Sequence, residues 1–102
     1  MDYINKIELQ GWVGCVRTNQ VQGMTVQNFS LLTEYMNKLK DGSYICESTW
    51  HQVVAWDKTQ VEKGDTVKVV GRLRQQKYTA ADGTERVYYE VMASELEIIE
   101  RT

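Results

Sequence analysis

Residues 71–78 read GRLRQQKY, in which Arg72, Arg74 and Lys77 supply cations, no acid intervenes, and Tyr78 closes the run. Upstream, the stretch STWHQVVAW (48–56) carries Trp50 and Trp56. Flat rings beside cations have a shared chemistry. Rings stack on nucleobases at about 1–3 kcal/mol per base, and cations hold the phosphates between them. The phosphate part reads no sequence and weakens steeply with salt. The same residue types suit plainer uses. Alternate arginines make a solvated strand face, tryptophans favour strands for packing alone, and aromatics with arginine are enriched at subunit interfaces. On residue types alone these readings stand side by side.

The elements that position these residues follow from two-residue alternation, which runs through most of the chain and marks half-buried strands. KIELQGWVG (6–14) is the first, with Gly11 and Gly14 pointing to a bend or bulge. GMTVQNFSLLTEY follows a turn at Gln22–Gly23, and CVRTNQVQG between them reads as a loop. STWHQVVAW is the third, TVKVVGRLRQQKY the fourth and ERVYYEVMASELEII the fifth. The connections NKLKDGSY and TAADGT each contain an Asp-Gly turn signal. DKTQVEKGD, between the third and fourth strands, has room for a helical turn at most. Five strands with one short helix position predict a small all-β Greek-key barrel, the OB-fold, occupying residues 1–102 as one domain.

Parity assigns faces within each strand. Trp50, Gln52, Val54 and Trp56 share one side of the third strand, and His51, Val53 and Ala55 the other. In the fourth, Val67, Val69, Gly71 and Leu73 form a core-like set, while Lys68, Val70, Arg72, Arg74, Gln76 and Tyr78 face away from it.

Composition sets limits on function. The 102 residues carry a formal net charge of −2, against the bulk signature of a nucleic-acid binder. Charge is locally uneven, however, and a basic stripe acts over a Debye length of only about 8 Å at physiological salt. No apolar run approaches the roughly 20 residues of a membrane helix, and MDYINKIELQ lacks the apolar stretch of a signal peptide. A cytoplasmic protein is expected, with Cys15 and Cys46 as reduced thiols. A single histidine and no CxxC give too few ligands for a zinc site, and no carboxylate cluster or nucleophile–base pair points to an enzyme. No cofactor or metal is implied.

Five blocks in order resemble the bacterial single-stranded DNA-binding proteins: NKIELQGWVG (5–14), NFSLLTE (28–34), TWHQVVAW (49–56), VVGRLRQQKY (69–78) and DGTERVYYEV (82–91). The resemblance spans nearly the whole chain. It implies an OB-fold that binds single-stranded DNA with little sequence preference, in replication, recombination or repair. Carried over by position, it implies stacking by Trp50, Trp56 and Tyr78, and by Tyr35 across a one-residue gap. Arg72, Arg74 and Lys77 fall where the family faces phosphates, and Arg86 is a weaker match. Trp12 stands where the family has a small polar residue; its parity extends the platform, and it equally suits an interface. The family assembles as homotetramers, or as dimers of two-fold proteins, and the first strand and His51 match its inter-subunit surface.

The match departs from the family in its shortened helix, its short loop after the first strand, and its end at Thr102 without an acidic tip. Tail-mediated recruitment of repair enzymes is therefore not expected. An interaction module of a replication complex, binding DNA weakly, is the alternative.

Overall fold

The computed structural model describes residues 2–101. They form five strands: β1 (Ile7–Val21), β2 (Met24–Lys38), β3 (Tyr44–Trp56), β4 (Thr66–Thr79) and β5 (Glu85–Glu100). The strands close a barrel in the order β1-β2-β3-β5-β4. All neighbours are antiparallel except β3 and β5, which meet in parallel through only Val53↔Val91 and Val54↔Met92. This is the five-stranded barrel expected from the alternation.

β1 is longer than the sequence reading allowed. It runs unbroken to a two-residue turn, in which Gln22 (φ 51°) and Gly23 (φ 79°) both adopt left-handed backbone. Such a turn matches the twist of the flanking strands, so Val21 pairs directly with Met24 and no loop remains. The bulge to which Gly14 points is present, and it breaks the alternation beyond it. Val13 pairs with Leu31 but Val16 with Phe29, so β1 holds one extra residue over Gly14–Cys15. The bulge shifts the parity: Val13 and Val16 both turn inward, and Arg17 moves to the outer face with Trp12. The Cys15 N–H, left out of the ladder, donates to Ser30 Oγ at 2.9 Å.

The interior is filled by Val13, Phe29, Leu31, Val53, Ala55, Val67, Val69 and Val91, with Val61 entering from the β3–β4 connection. Leu73 does not join them. Its side chain is 45% exposed, although it continues the parity of Val67 and Val69. β1 pairs with β4 only from Gly71 downwards, so beyond that point β4 and β5 run on as a two-stranded arm with no opposite wall.

The helix expected between β3 and β4 is reduced to nothing. Gln27, 1% exposed, explains how the segment manages without one. Its amide donates to the Thr59 carbonyl at 2.7 Å and accepts from the Val61 N–H at 2.9 Å. The buried Val61 N–H needs a partner, and the same side chain ties down the carbonyl of exposed Thr59. That leaves Val61 free to plug the barrel end.

Asp65 anchors the end of this connection. It is 2% exposed, accepts from the Glu62 N–H at 2.8 Å, and takes a two-point contact from Arg101 at 3.1 and 3.2 Å. The Arg101 guanidinium, helped by that N–H, holds the carboxyl below its ordinary value of 3.8. A depressed folded-state value stabilises the barrel above the unfolded-state value, and the contribution is lost as pH falls through the folded one. Stability is therefore expected to drop below about pH 4. Urea midpoints measured from pH 6 down to pH 3 check this. In Asp65→Asn the acid-side drop should be shallower, and an unchanged pH profile would sink the assignment.

Candidate nucleic-acid interface

The outer face of β1, β2 and β3 carries the aromatic platform. Trp12 and Trp50 lie opposite the same residue, Leu32, from its two sides. Their rings meet edge to face, with centroids 6.2 Å apart and planes at 66°. Both are exposed, Trp50 to 55%. Gly14 makes room for this: a Cβ there would sit 2.8 Å from Cζ3 of Trp50 and 2.6 Å from Ser30 Oγ. Lys63 comes up beside the two rings and lines the same shallow hollow. A cation next to two exposed rings can hold a phosphate while a base stacks.

This hollow shares Cys15 and Ser30 with a deeper groove of about 420 Å³. One wall of the groove is Arg17, Asn28 and Gln52 from the outer sheet. The other is Tyr88 and Glu90 from the β4–β5 arm. On the same arm, Tyr78 and Tyr88 stack at a tilt, with centroids 5.8 Å apart and planes at 56°. A continuous outer surface thus runs from one aromatic pair, past a polar groove, to another.

The basic residues are spread more widely than the sequence reading implied. Arg74 gives its Nε and Nη2 to Glu90 Oε1, and Gln76 adds a third donor to that oxygen at 3.1 Å. Glu90 is 7% exposed while the Arg74 side chain is 35% exposed, so the arginine keeps contact with water but its charge is already matched by the carboxylate. Arg72 is exposed, has no ion-pair partner among the described residues, and lines a separate hollow with Asn5 and Lys6. Arg86, across from Tyr78, reaches Asp82 at 3.7 Å, and Lys77 reaches Glu85 at 3.6 Å. Exposed pairs of this kind are worth about 0–1 kcal/mol and give way readily to a phosphate.

Lys77 pairs with Val87 and so takes the arm's opposite face, away from Arg74 and Tyr78. Tyr35, paired with Glu47, shares the parity of His51 and Leu31 and is not brought to Trp50. Trp56 keeps Trp50's parity at the far end of β3, half-buried beside Val26. His51 bonds Thr33 Oγ1 through Nε2 at 2.8 Å, and burial lowers its pKa, which keeps the ring neutral near pH 7.

Four residues of this surface escaped the sequence reading: Arg17, Lys63, Tyr88 and Glu90. Tyr88 was within reach, since counting back from the Asp82-Gly83 turn pairs it with Gln76. Arg17 was not, because its direction depends on how many residues the bulge at Gly14 adds, which the glycine alone does not give. Among the described residues, no group of three or more His, Cys, Asp or Glu is placed to hold a metal, and no helix is long and apolar enough to cross a membrane.

The model of the single-strand binding protein family matches residues 4–99. The chain belongs to that family. Single-stranded DNA-binding proteins from Xanthomonas axonopodis pv. citri and Xanthomonas campestris pv. campestris are 36% and 35% identical to it over 94% of this chain. The chain spans 58% and 60% of their respective lengths. Among solved structures, a Plasmodium falciparum SSB in complex with ssDNA superposes with a TM-score of 0.85 at 23% identity, covering 98% of both chains. A deletion mutant of the single-stranded DNA-binding protein from Thermus aquaticus gives 0.78 at 19% identity, over 95% of this chain and 51% of that one. These likenesses establish the OB-fold for this member of the single-strand binding family.

Proposed function

We propose that the chain binds and protects single-stranded DNA in replication, recombination or repair, chiefly by base stacking and phosphate contacts that do not depend on sequence. The observation that carries this reading is the exposed Trp12–Trp50 pair, continuous through a groove with the Tyr78–Tyr88 pair. Lys63 and Arg72 are exposed cations without an ion-pair partner among the described residues; Arg86 and Lys77 would contribute after leaving their exposed partners. Trp56 would take a base at the far end of β3. Family membership and the relatives' names support the substrate class. The reading places the protein in the cytoplasm, as a homo-oligomer of two or four subunits. Exposed Leu73, Val87 and Tyr89 on the arm's other face support self-association.

Tryptophan fluorescence titrated with oligo-dT, at low and high salt and with duplex DNA as control, tests the proposal. Strong quenching by oligo-dT that weakens with salt is expected, and Arg72→Ala should lower the salt slope by about one phosphate contact. An intact oligomer that shows no quenching would overturn it and favour a protein-interaction module.

A further inference from the structure

The groove between the two aromatic pairs carries a carboxylate on one wall, where a phosphate is repelled. That carboxylate, Glu90, is more than nine-tenths buried. All three of its side-chain donors, from Arg74 and Gln76, converge on Oε1. Oε2 has no partner among the described residues, yet it is not sealed from solvent, since no buried side-chain oxygen there lacks a bond. So the groove presents one fixed, charged acceptor. Arg17 lines the same groove with no ion-pair partner among the described residues, and Asn28, Gln52 and Ser30 complete a polar lining.

A strand entering this groove keeps its phosphates away from Glu90 and offers a base edge instead. The bases differ in what they present. Guanine alone carries two adjacent donors, N1–H and the N2 amino group, beside two acceptors, O6 and N7. Thymine offers a single N–H flanked by two carbonyl oxygens, which a carboxylate repels. We infer that the groove is a base-reading subsite selective for guanine over thymine. Glu90 Oε2 accepts from N1–H and N2–H, Arg17 donates to O6 or N7, and Tyr88 flanks the ring. The inference rests on the single-stranded DNA reading and adds one selective position to an otherwise tolerant surface.

The test uses dT-rich oligonucleotides carrying isolated guanines, the same oligonucleotides with inosine in those places, and plain oligo-dT. Inosine keeps N1–H, O6 and N7 but lacks the N2 amino group. The wild-type chain should bind the guanine version about tenfold tighter than plain oligo-dT, and the inosine version in between. In Glu90→Gln the amide oxygen stays with Arg74 and Gln76, which turns an NH2 donor towards the groove. Guanine then meets donors with donors, and its advantage over inosine should vanish or invert. Arg17→Ala, at an exposed site, should bring the guanine and inosine affinities down towards that for plain oligo-dT. These are ratios, which a uniform loss of affinity does not move. Equal binding of all three oligonucleotides by wild type overturns the guanine inference and leaves the DNA-binding function standing. No binding of any oligonucleotide overturns both.

Discussion

Gln27→Leu is expected to destabilise the barrel by about 1–3 kcal/mol. The side chain is 1% exposed and holds the β3–β4 connection at both the Thr59 carbonyl and the Val61 N–H. Leucine keeps the bulk and removes both bonds, so the buried Val61 N–H loses its partner at a cost of about 1–3 kcal/mol, while the carbonyl of exposed Thr59 turns to water. Urea denaturation gives the loss, and an unchanged m-value shows that the barrel itself persists. Limited proteolysis should then cut first within residues 57–65. A loss under about 1 kcal/mol would mean that water replaces the amide at both bonds, and that the missing helix needs another explanation.

A large functional effect is expected at a residue with no side chain, Gly14, on the floor of the Trp12–Trp50 hollow. Gly14→Ala places a methyl group 2.8 Å from the Trp50 ring and 2.6 Å from Ser30 Oγ. The ring must leave its position over β1, so single-stranded DNA affinity should fall by about 1–3 kcal/mol, the worth of one stacked base. Trp50→Ala should cost the same while leaving the fold intact, since the ring is 55% exposed. Combined, the two changes should lose no more than either alone, because both remove one stacking partner. Fluorescence anisotropy on a labelled oligonucleotide measures the cycle. Additive losses would show that Gly14 acts on binding by another route, and an unfolded Trp50→Ala would make that ring structural.

The fold was legible because most of its information is periodic. Strict alternation marked five strands, and the Gln22-Gly23, Asp41-Gly42 and Asp82-Gly83 pairs marked three turns. Side-chain direction was legible where it follows from parity alone, as at Trp50, Arg72 and Tyr78. Parity failed where direction depends on something it does not contain. The bulge at Gly14–Cys15 turned Arg17 outward and disguised the end of β1 as a loop. The end of the β1–β4 pairing at Gly71 exposed Leu73. The ion pair of Arg74 was hidden because its partner lies in another strand, and only the register brings Glu90 across from it. Lys63 is placed by a connection whose shape is set by the Gln27 side chain, which no local pattern encodes.

The parallel join of β3 to β5 has a consequence for time. The β2–β3 and β4–β5 hairpins each pair neighbouring stretches of chain, and hairpins of this kind zip up in about 1–10 μs. Closure is different. It brings Val53 to Val91 on one side and Ile7 to Gly71 on the other, across long stretches of chain, and the β3–β5 side offers only two ladder pairs. The entropy of those loops is lost before the contacts are gained, which makes closure the slow step and sets folding on the millisecond-to-second scale of closed β-barrels. Val53 and Val91 belong both to the β3–β5 join and to the core, so closing the ladder and filling the interior are one event there.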